Sequence, residues 1–372
     1  MRLAQVAYAA PMTKRVWLVI AIAILASACS SDSAAETTDT TNVGSAEPPS
    51  SDQTTVAPTP TTTARTPESS EPVDPTPQTT LRELTDEPTG CSTLEPGTFV
   101  VKVGEVQQMS VVVPSGFDGT ALPVVMDFHG VGSDGTQEAA LTNYAALAER
   151  ETFIIAHPTA KSSPFDGRNT WELAQFDLPD QDDIALVSEI IEKLTSNFCG
   201  DVNRVYSTGM SNGGLFTSRL VCEMADQIAA AVSVAGVTHH DDCEPSRPVP
   251  MMAYHGTADR IVLFEGGVST LPNGDSDFFK QVMPDEFAEF ASDFNCNPEP
   301  TRTDVSVEVI RYSYEGCDND VPMIFHEITG GGHTWPNSGL GPFLVDFFGK
   351  TTTDVDATVD GWEFMSQFTL PA

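Results

Sequence analysis

The sequence predicts an α/β fold in which helices cover both faces of a doubly wound, mostly parallel sheet. Two observations carry this prediction. From Cys91 onward, apolar stretches typical of strands alternate with segments typical of helices, and this alternation indicates parallel strands joined by helical crossovers. One helical segment also has an apolar face, formed by residues that recur at helical spacing: Ile184, Val187, Ile190, Ile191, Leu194 and Phe198.

Several apolar stretches after Cys91 are predicted to be strands. In chain order they are Thr98–Lys102, Gln108–Val113, Val124–Phe128, Phe153–Ala156, Val202–Ser207, Ile228–Ala235, Met251–His255, Val305–Tyr312 and Met323–Ile328. Three longer stretches have no regular pattern, at 157–181, 260–283 and 334–353. We expect these three stretches to be loops that frame a cleft.

The start of the chain predicts export. Lys14 and Arg15 precede an apolar stretch at 16–25 that is too short to span a bilayer comfortably, and the small residues before Cys29 are typical of a cleavage site. We therefore predict a signal peptide at 1–29. A cysteine directly after small residues also resembles a bacterial lipoprotein signal, so Cys29 is a candidate lipidation site that would attach the protein to a membrane. Secretion without lipid is the alternative.

Residues 30–90 are predicted to be a disordered stalk. They are dominated by Ser, Thr, Pro, Asp and Glu and contain almost no aromatic or large aliphatic residues, so they cannot bury enough surface to offset the entropy of ordering. The segment 91–372 is predicted to be a single α/β domain. The predicted location is outside the cell or on the outer face of the cell envelope.

The chain has a formal net charge of -35, which argues against nucleic acid as a partner. A phosphate backbone would be repelled, and no cluster of Lys and Arg interrupts the acidity. The charge favours an uncharged substrate over an anionic one. The alternative is that the charge serves only solubility.

Six cysteines remain besides Cys29, and an even number in an exported chain predicts disulfides. Six cysteines allow 15 pairings. Two of the pairs would each close a loop of 21 residues, which is worth about 3 kcal/mol in the chain-entropy model. The third pair would tie the start of the domain to the end of the helix before a central strand. The predicted bonds are Cys222 with Cys243, Cys296 with Cys317, and Cys91 with Cys199.

The most informative motif is Gly209-Met210-Ser211-Asn212-Gly213, which lies between a predicted strand and a segment typical of a helix. In a nucleophile elbow a serine occupies a strained turn between strand and helix, so small residues are needed two positions before and after it. Gly209 and Gly213 meet this requirement, and Ser211 is a candidate nucleophile. Because ordinary use of Gly and Ser also produces this pattern by chance, other motifs must support it.

Two further motifs follow in the order acid and then base. Asp259 lies in the loop directly after one predicted strand, and His333 lies in a glycine-rich loop after the last one. A serine hydroxyl becomes a good nucleophile when an imidazole takes its proton, and that imidazole needs a buried carboxylate to hold its orientation. The rival acids are not placed directly after a strand: Asp241, Asp242 and Asp275.

The glycine-rich loop at 129–133 follows a predicted strand and is the natural source of an oxyanion hole. One backbone donor would be the N–H of Asn212, and the other would be that of Val131 or a neighbour. This chemistry needs no metal and no organic cofactor. The His-His-Asp-Asp run at 239–242 is an alternative metal site, although adjacent side chains diverge and no further ligand set is evident.

Together these motifs resemble the secreted esterase family of polyhydroxybutyrate depolymerases and feruloyl or acetylxylan esterases. The resemblance covers the chain from about Cys91 onward and implies an α/β-hydrolase fold with Ser211, Asp259 and His333 as the triad. One departure lies at 261–264, where this chain has Ile-Val-Leu-Phe and family members often carry a Pro-Tyr pair. The stretches that carry the resemblance are 128–130, 209–214, 255–259 and 331–336.

Trp171 and Trp335 lie in the predicted loops and are candidate substrate-binding residues, since exposed rings near a catalytic serine would suit flat acyl groups or sugars. The alternative is that these rings pin the loops to the core. The predicted function is a secreted or lipid-anchored serine esterase that acts on feruloyl or acetyl polysaccharide esters or on hydroxyalkanoate polyesters. A serine peptidase of the same fold and a surface-displayed binding module with a vestigial site are the alternatives.

Overall fold

The computed structural model describes residues 82–83, 88–104, 107–174, 178–271, 274–276, 281–339 and 341–371. The predicted signal peptide with Cys29 and nearly all of the predicted stalk lie outside the described residues. The predicted domain that begins at Cys91 lies almost entirely within them.

The described residues form a sheet of eleven strands and a separate hairpin of two short strands. The strands of the sheet are β1 Arg82–Glu83, β2 Gly97–Val103, β3 Gln107–Val113, β4 Leu122–Phe128, β5 Ile154–Pro158, β6 Gly200–Met210, β7 Ala230–Val234, β8 Met251–Gly256, β11 Thr301–Asp304, β12 Val309–Tyr314 and β13 Met323–Ile328. The hairpin consists of β9 Ser269–Leu271 and β10 Gly274–Ser276. Across the sheet the order is β1-β2-β3-β5-β4-β6-β7-β8-β13-β12-β11.

The six central strands, in the order β5-β4-β6-β7-β8-β13, run parallel to one another. Antiparallel strands flank them on both sides. Parallel strands covered by helices are buried on both faces, and β4, β7 and β8 accordingly consist of buried residues throughout. The predicted mostly parallel sheet is confirmed.

Helices pack on both faces of this sheet. Successive residues of β4 point to opposite sides: Val124 belongs to an apolar cluster that includes Val187 and Leu215, whereas Val125 belongs to a second cluster that includes Trp362. The fold is therefore doubly wound, and the α/β-hydrolase fold that the motifs implied is confirmed. The helices within the described residues are α1 Gly135–Thr142, α2 Tyr144–Glu151, α3 Asp183–Ser196, α4 Asn212–Glu223, α5 Met283–Asp293, α6 Gly341–Phe348 and α7 Ala357–Met365.

The stretch Val305–Tyr312 does not form one strand, so that prediction is wrong. The chain makes a tight turn at 305–308 between β11 and β12, in which the Ser306 hydroxyl oxygen accepts hydrogen bonds from the N–H groups of Glu308 and Val309 (both 3.1 Å). A serine side chain that binds nearby backbone N–H groups favours a turn over a strand. The stretch at 334–353 is also not wholly a loop, because α6 lies within it.

Three disulfides join the predicted partners. Two of them span 21 residues each and the third spans 108. The longest-range bond ties the segment between β1 and β2 to the turn between α3 and β6. The bonds are Cys222–Cys243, Cys296–Cys317 and Cys91–Cys199. None of the helices in the described part of the chain has the length and apolar character needed to cross a membrane.

Candidate active site

The three predicted triad residues lie at one edge of the sheet. Ser211 follows β6 directly, Asp259 lies in the turn after β8, and His333 lies in the loop after β13. Since β6, β7, β8 and β13 are successive parallel neighbours, their carboxyl ends meet along this edge. Open α/β sheets bind their ligands at such an edge.

Ser211 occupies a sharp turn between β6 and α4, with φ 57° and ψ -121°. A positive φ is unfavourable for a residue with a side chain. The surrounding backbone leaves no room for side chains at the flanking glycines: a Cβ at Gly213 would lie 1.8 Å from the Phe128 carbonyl oxygen, and one at Gly209 would lie 2.6 Å from the same atom. The structure thus has the strained turn and the two obligatory glycines of a nucleophile elbow.

Asp259 and His333 are hydrogen-bonded to each other. His333 Nδ1 lies 2.7 Å from Asp259 Oδ2, and both side chains are almost fully buried. The other oxygen of Asp259, Oδ1, accepts hydrogen bonds from the backbone N–H groups of Ile261 (2.8 Å) and Val262 (3.0 Å). The carboxylate is therefore fixed in position, and it in turn fixes the orientation of the imidazole.

These contacts keep the Asp259 carboxylate ionised. Burial alone raises the pKa of a carboxyl group, but the charge of His333, together with hydrogen bonds from His255 and His333, outweighs burial and holds the pKa of Asp259 below its usual value. An ionised, buried carboxylate beside an imidazole can stabilise the imidazolium that forms when the ring accepts a proton.

His255 is a second imidazole beside this carboxylate. It is the penultimate residue of β8, it is buried, and its Nε2 lies 2.8 Å from the Val262 carbonyl oxygen and 3.3 Å from Asp259 Oδ2. His255 is the last residue of a predicted strand, and no catalytic role was predicted for it. Its position four residues before Asp259, across a tight turn, was the sequence feature that could have predicted its contact with the carboxylate.

The glycines before His333 allow two loops to pack closely. A Cβ at Gly256 would lie 2.3 Å from the Gly331 carbonyl oxygen, and one at Gly332 would lie 2.1 Å from the Phe348 carbonyl oxygen. The Ala258 N–H donates to the Gly331 carbonyl (2.8 Å), which joins the acid loop to the base loop. Glycine at 256 and 332 therefore allows the loop that carries His333 to pack against the turn that carries Asp259.

The structure has no hydrogen bond between the Ser211 hydroxyl and His333 among the described residues. The hydroxyl also makes no capping bond to α4, although Ser211 is the residue that precedes the helix. Ser211 is partly exposed, whereas Asp259 and His333 are buried. The structure thus joins the acid to the base and places both at the same edge as the serine.

The loop after β4 forms a tight turn beside Ser211. The Ser133 N–H donates to the Gly130 carbonyl (3.1 Å), and Gly132 has the positive φ, 77°, that such a turn requires at its third residue. A Cβ at Gly130 would lie only 3.4 Å from Ser211 Cβ. The turn therefore approaches the serine as an oxyanion loop would.

The Val131 N–H is the donor of this loop that stays available. The Gly132 N–H donates to the Asn169 carbonyl (2.8 Å), but the Val131 N–H has no acceptor among the described residues. The Gly130 carbonyl binds His129 Nδ1 (2.7 Å), and a trans peptide directs the following N–H to the opposite side. The Asn212 N–H is also unpaired within its helix, because it belongs to the first residue of α4.

The assignment of Trp171 and Trp335 as substrate-binding residues is wrong. Both rings are fully buried, with exposed fractions of 0% and 1%. The Trp171 indole N–H donates to the His129 carbonyl (3.1 Å), and the Trp335 indole N–H donates to the Thr358 hydroxyl (3.0 Å). Neither ring presents a face to a cleft. Both instead fit the alternative prediction, that these rings hold their loops on the core.

A buried polar cluster lies on β4, α1 and β5, the elements that flank the 129–133 loop, and was not anticipated. Asp127, Glu138 and His157 are each at most 2% exposed. Burial raises the pKa of Asp127 to about 8 and lowers the pKa of His157 to about 3. The Thr142 hydroxyl donates to Asp127 Oδ2 (2.7 Å). No sequence pattern indicated this cluster, since its members come from a strand, a helix and a neighbouring strand.

The run at 239–242 does not assemble a conventional metal site. Two groups in the described residues bring ligand atoms together, Cys222 with His240 and Cys243, and His239 with Cys243 and Asp293. Each group includes a cysteine of the Cys222–Cys243 disulfide. A disulfide sulfur is not a thiolate, and the thiolate is the form that binds metals.

Comparisons with known proteins point to esterases. No protein-family model matches the chain. Feruloyl esterase B of Piromyces equi is 27% identical over 271 residues, which cover 71% of this chain and 46% of that protein. A bifunctional acetylxylan esterase/xylanase of Neocallimastix patriciarum is 26% identical over 239 residues, which cover 64% of this chain and 32% of that protein.

The match thus spans less than half the length of these two relatives. Among solved structures, an acetyl xylan esterase from Aspergillus awamori aligns with a TM-score of 0.46 and 17% identity, over 65% of this chain and 94% of that chain. The chain is similar to feruloyl and acetylxylan esterases.

Proposed function

We propose that this protein is a carboxylic ester hydrolase that uses a serine nucleophile. The observation that carries the proposal is the buried hydrogen bond between Asp259 and His333 at the sheet edge where Ser211 occupies a strained turn. The similarity to feruloyl and acetylxylan esterases supports the same reaction class.

In the proposed reaction, Ser211 Oγ attacks the ester carbonyl carbon while His333 Nε2 takes the hydroxyl proton. The tetrahedral intermediate collapses, the bond to the alcohol oxygen breaks, and His333 gives its proton to the departing alcohol. Water then attacks the acyl-enzyme with His333 as the base, which releases the carboxylic acid and restores Ser211. Contacts between nucleophile and base commonly tighten only when substrate is bound.

The oxyanion of the intermediate would be stabilised by two backbone donors, the N–H groups of Val131 and Asn212. The Asn212 N–H lies at the amino end of α4, where the helix dipole also favours negative charge. Donors that are fixed before the reaction need no reorganisation when the charge develops, which is why such sites contribute strongly to catalysis.

Esters of ferulic or acetic acid with plant polysaccharides are the proposed substrates, because the two relatives are named for these activities. Hydroxyalkanoate polyesters are a second class, supported by the motif resemblance alone. The net charge of -35 favours uncharged substrates of either class.

We also propose that the protein acts outside the cell, as a domain at 91–372 carried by a signal peptide and stalk. Three disulfides fit an extracellular protein, since such bonds persist in oxidising compartments. Lipid attachment at Cys29 is tested by metabolic labelling with a fatty-acid analogue, which should label the wild type and leave Cys29→Ala unlabelled. A wild type without label would indicate simple secretion.

Replacement of the nucleophile tests the function. Ser211→Ala should reduce hydrolysis of p-nitrophenyl acetate and methyl ferulate by about 10⁶-fold, to the residual level of a site without its nucleophile. The matched control is Ser207→Ala, a buried serine of β6 whose hydroxyl contacts Thr217 (3.0 Å) away from the elbow. The control should keep its turnover, and circular dichroism should show both variants folded.

Normal turnover in Ser211→Ala would refute the assignment. Labelling by a fluorophosphonate distinguishes the alternatives, because a vestigial site would leave Ser211 unlabelled in the wild type. A labelled enzyme that cleaves a dipeptide anilide and ignores the esters would instead be a peptidase.

A further inference from the structure

Trp171 connects the two segments that carry the proposed oxyanion donors. Its backbone N–H donates to Asn212 Oδ1 (2.8 Å), and its carbonyl accepts from Asn212 Nδ2 (3.1 Å). Its indole N–H donates to the carbonyl oxygen of His129 (3.1 Å). Trp171 thus binds Asn212, whose N–H is one proposed donor. It also binds His129, which lies two positions before Val131, the residue of the other donor.

The His129 side of this connection is rigid. The Ala160 N–H donates to His129 Nε2 (3.0 Å), so Nε2 is the unprotonated nitrogen and Nδ1 carries the proton that it donates to the Gly130 carbonyl (2.7 Å). The His129 carbonyl is held by Trp171, and the Gly130 carbonyl is held by the His129 ring. These bonds fix the peptide planes on either side of Gly130 and therefore the direction of the Val131 N–H.

The Asn212 side of the connection is equally well determined. Both polar atoms of the Asn212 side chain are used by the backbone of Trp171, and the Asn212 side chain is buried. The Trp171 ring stacks on Phe216 of α4 (centroid distance 5.1 Å, interplanar angle 12°) and meets the edge of Phe128 at the end of β4 (5.1 Å). The ring therefore fills the space between the helix and the strand.

We propose that Trp171 is a positioning residue that sets the separation between the Val131 N–H and the Asn212 N–H. This inference rests on the proposed function, because it gives the two N–H groups the role of oxyanion donors. An oxyanion is stabilised well only when each donor lies about 2.7–3.1 Å from the oxygen. A residue that ties both donor segments together controls this distance without touching the substrate.

Trp171→Phe tests the proposal, because it keeps an aromatic ring in the packing and removes the indole N–H. We expect kcat for methyl ferulate to fall about 10-fold to 100-fold while KM changes less than about two-fold, since the loss concerns the transition state more than the bound ester. The matched control is Trp335→Phe, which also removes a buried indole hydrogen bond (to Thr358, 3.0 Å); among the described residues, its side-chain hydrogen bond and ring contact go to Thr358 and Tyr144, not to the 129–133 loop or Asn212. The control should keep kcat within about two-fold.

Inhibition by a trifluoromethyl ketone separates positioning from general loss of stability. This inhibitor forms a hemiketal oxyanion with the serine, so its inhibition constant should rise in Trp171→Phe by about the same factor as kcat/KM falls. In Trp335→Phe the constant should not change, even where both variants have the same lowered melting temperature. A purely structural role for Trp171 would leave the inhibition constant unchanged.

Asn212→Ala is the second variant, and it decides the question where Trp171→Phe does not fold. It keeps the backbone donor of residue 212 and removes both bonds to the Trp171 backbone. We expect a loss of kcat similar to that of Trp171→Phe, and the double variant should lose little more than the larger single loss, because both changes break one connection.

The failure of this proposal differs from the failure of the proposed function. If Ser211→Ala abolishes hydrolysis while Trp171→Phe and Asn212→Ala behave like Trp335→Phe, Trp171 has no positioning role and the serine esterase assignment stands. If Ser211→Ala turns over normally, the catalytic assignment itself is wrong.

Discussion

Asp127 and Asp259 are both buried carboxylic acids near the carboxyl ends of parallel strands, yet their surroundings shift their pKa values in opposite directions. Asp127 is 0% exposed and Asp259 is 4% exposed. Burial raises the pKa of Asp127 to about 8, whereas the pKa of Asp259 is held below its usual value. The degree of burial therefore does not decide which carboxyl group is ionised.

The difference lies in the donors around each group. Asp259 has a donor for each oxygen: His333 for one, and the N–H groups of Ile261 and Val262 for the other. Asp127 receives one hydrogen bond, from Thr142, and its Oδ1 has no partner among the described residues. A buried carboxylate is stable only where charged groups and N–H donors replace its lost hydration.

The largest expected effect is a difference in kcat between variants of the two residues. Asp259→Asn should lower kcat for p-nitrophenyl acetate by about 10⁴-fold, because the amide no longer holds the imidazole in its working tautomer or stabilises the imidazolium. Asp127→Asn, the matched control, should keep kcat within a few-fold. If both variants lose activity equally, ionisation of Asp259 has no special role and the contrast between the residues fails.

The second test concerns stability as a function of pH. The folded state keeps a proton on Asp127 up to about pH 8, whereas the unfolded chain loses it near 3.8. This group therefore stabilises the fold fully below pH 3.8, and the contribution is lost as the pH rises through about 8. Relative to Asp127→Asn, the wild type should lose up to about 1.4 kcal/mol of unfolding free energy per pH unit across this window.

Urea denaturation at several pH values measures this slope. Besides the Asp127 titration, the variant also relieves the part of the rise in the pKa of Glu138 and Tyr144 that the Asp127 charge causes. For Asp259→Asn the sign is the reverse, because a lowered pKa stabilises the fold above about 3.8 and the advantage is lost on acidification. If the free energy of unfolding of both variants, relative to the wild type, changed with pH in the same direction, the opposite pKa shifts would be contradicted.

The smallest expected effect concerns His255. His255→Leu removes the Nε2 contacts to Val262 and Asp259, so the acid loop loses one of its supports. We expect kcat to fall about 10-fold, as for other residues that orient a catalytic group. His255→Gln keeps an N–H donor and should recover part of this loss. Equal activity of His255→Leu and wild type would show that the backbone donors alone hold Asp259.

Sequence reasoning located the features that depend on local order along the chain. The elbow could be predicted because Gly209 and Gly213 lie at fixed offsets from Ser211. The candidate acid and base could be predicted because each follows a recognisable strand. The two disulfides whose cysteines are 21 positions apart could be predicted for the same reason. Each of these predictions depends on spacing within one segment.

Most other features that depend on contacts between distant segments were not predicted, although the Cys91–Cys199 bond, which spans 108 positions, was. Trp171 binds Asn212 and His129, which are 41 and 42 positions away, and nothing near Trp171 shows whether its ring faces the core or a cleft. The Asp127 cluster likewise arises only when β4, β5 and α1 come together. The strand predicted at 305–312 failed because the apolar pattern continues through a turn that Ser306 stabilises.

The Cys91–Cys199 bond holds Cys91 at one end of β6, and the candidate nucleophile Ser211 lies at the other end. Cys199 directly precedes β6, and Ser211 directly follows it. A strand of 11 residues is about 36 Å long. A bead coupled directly beside Cys91 would therefore lie near the amino ends of the central strands, and the immobilised protein would present the edge that carries Ser211 to the solution.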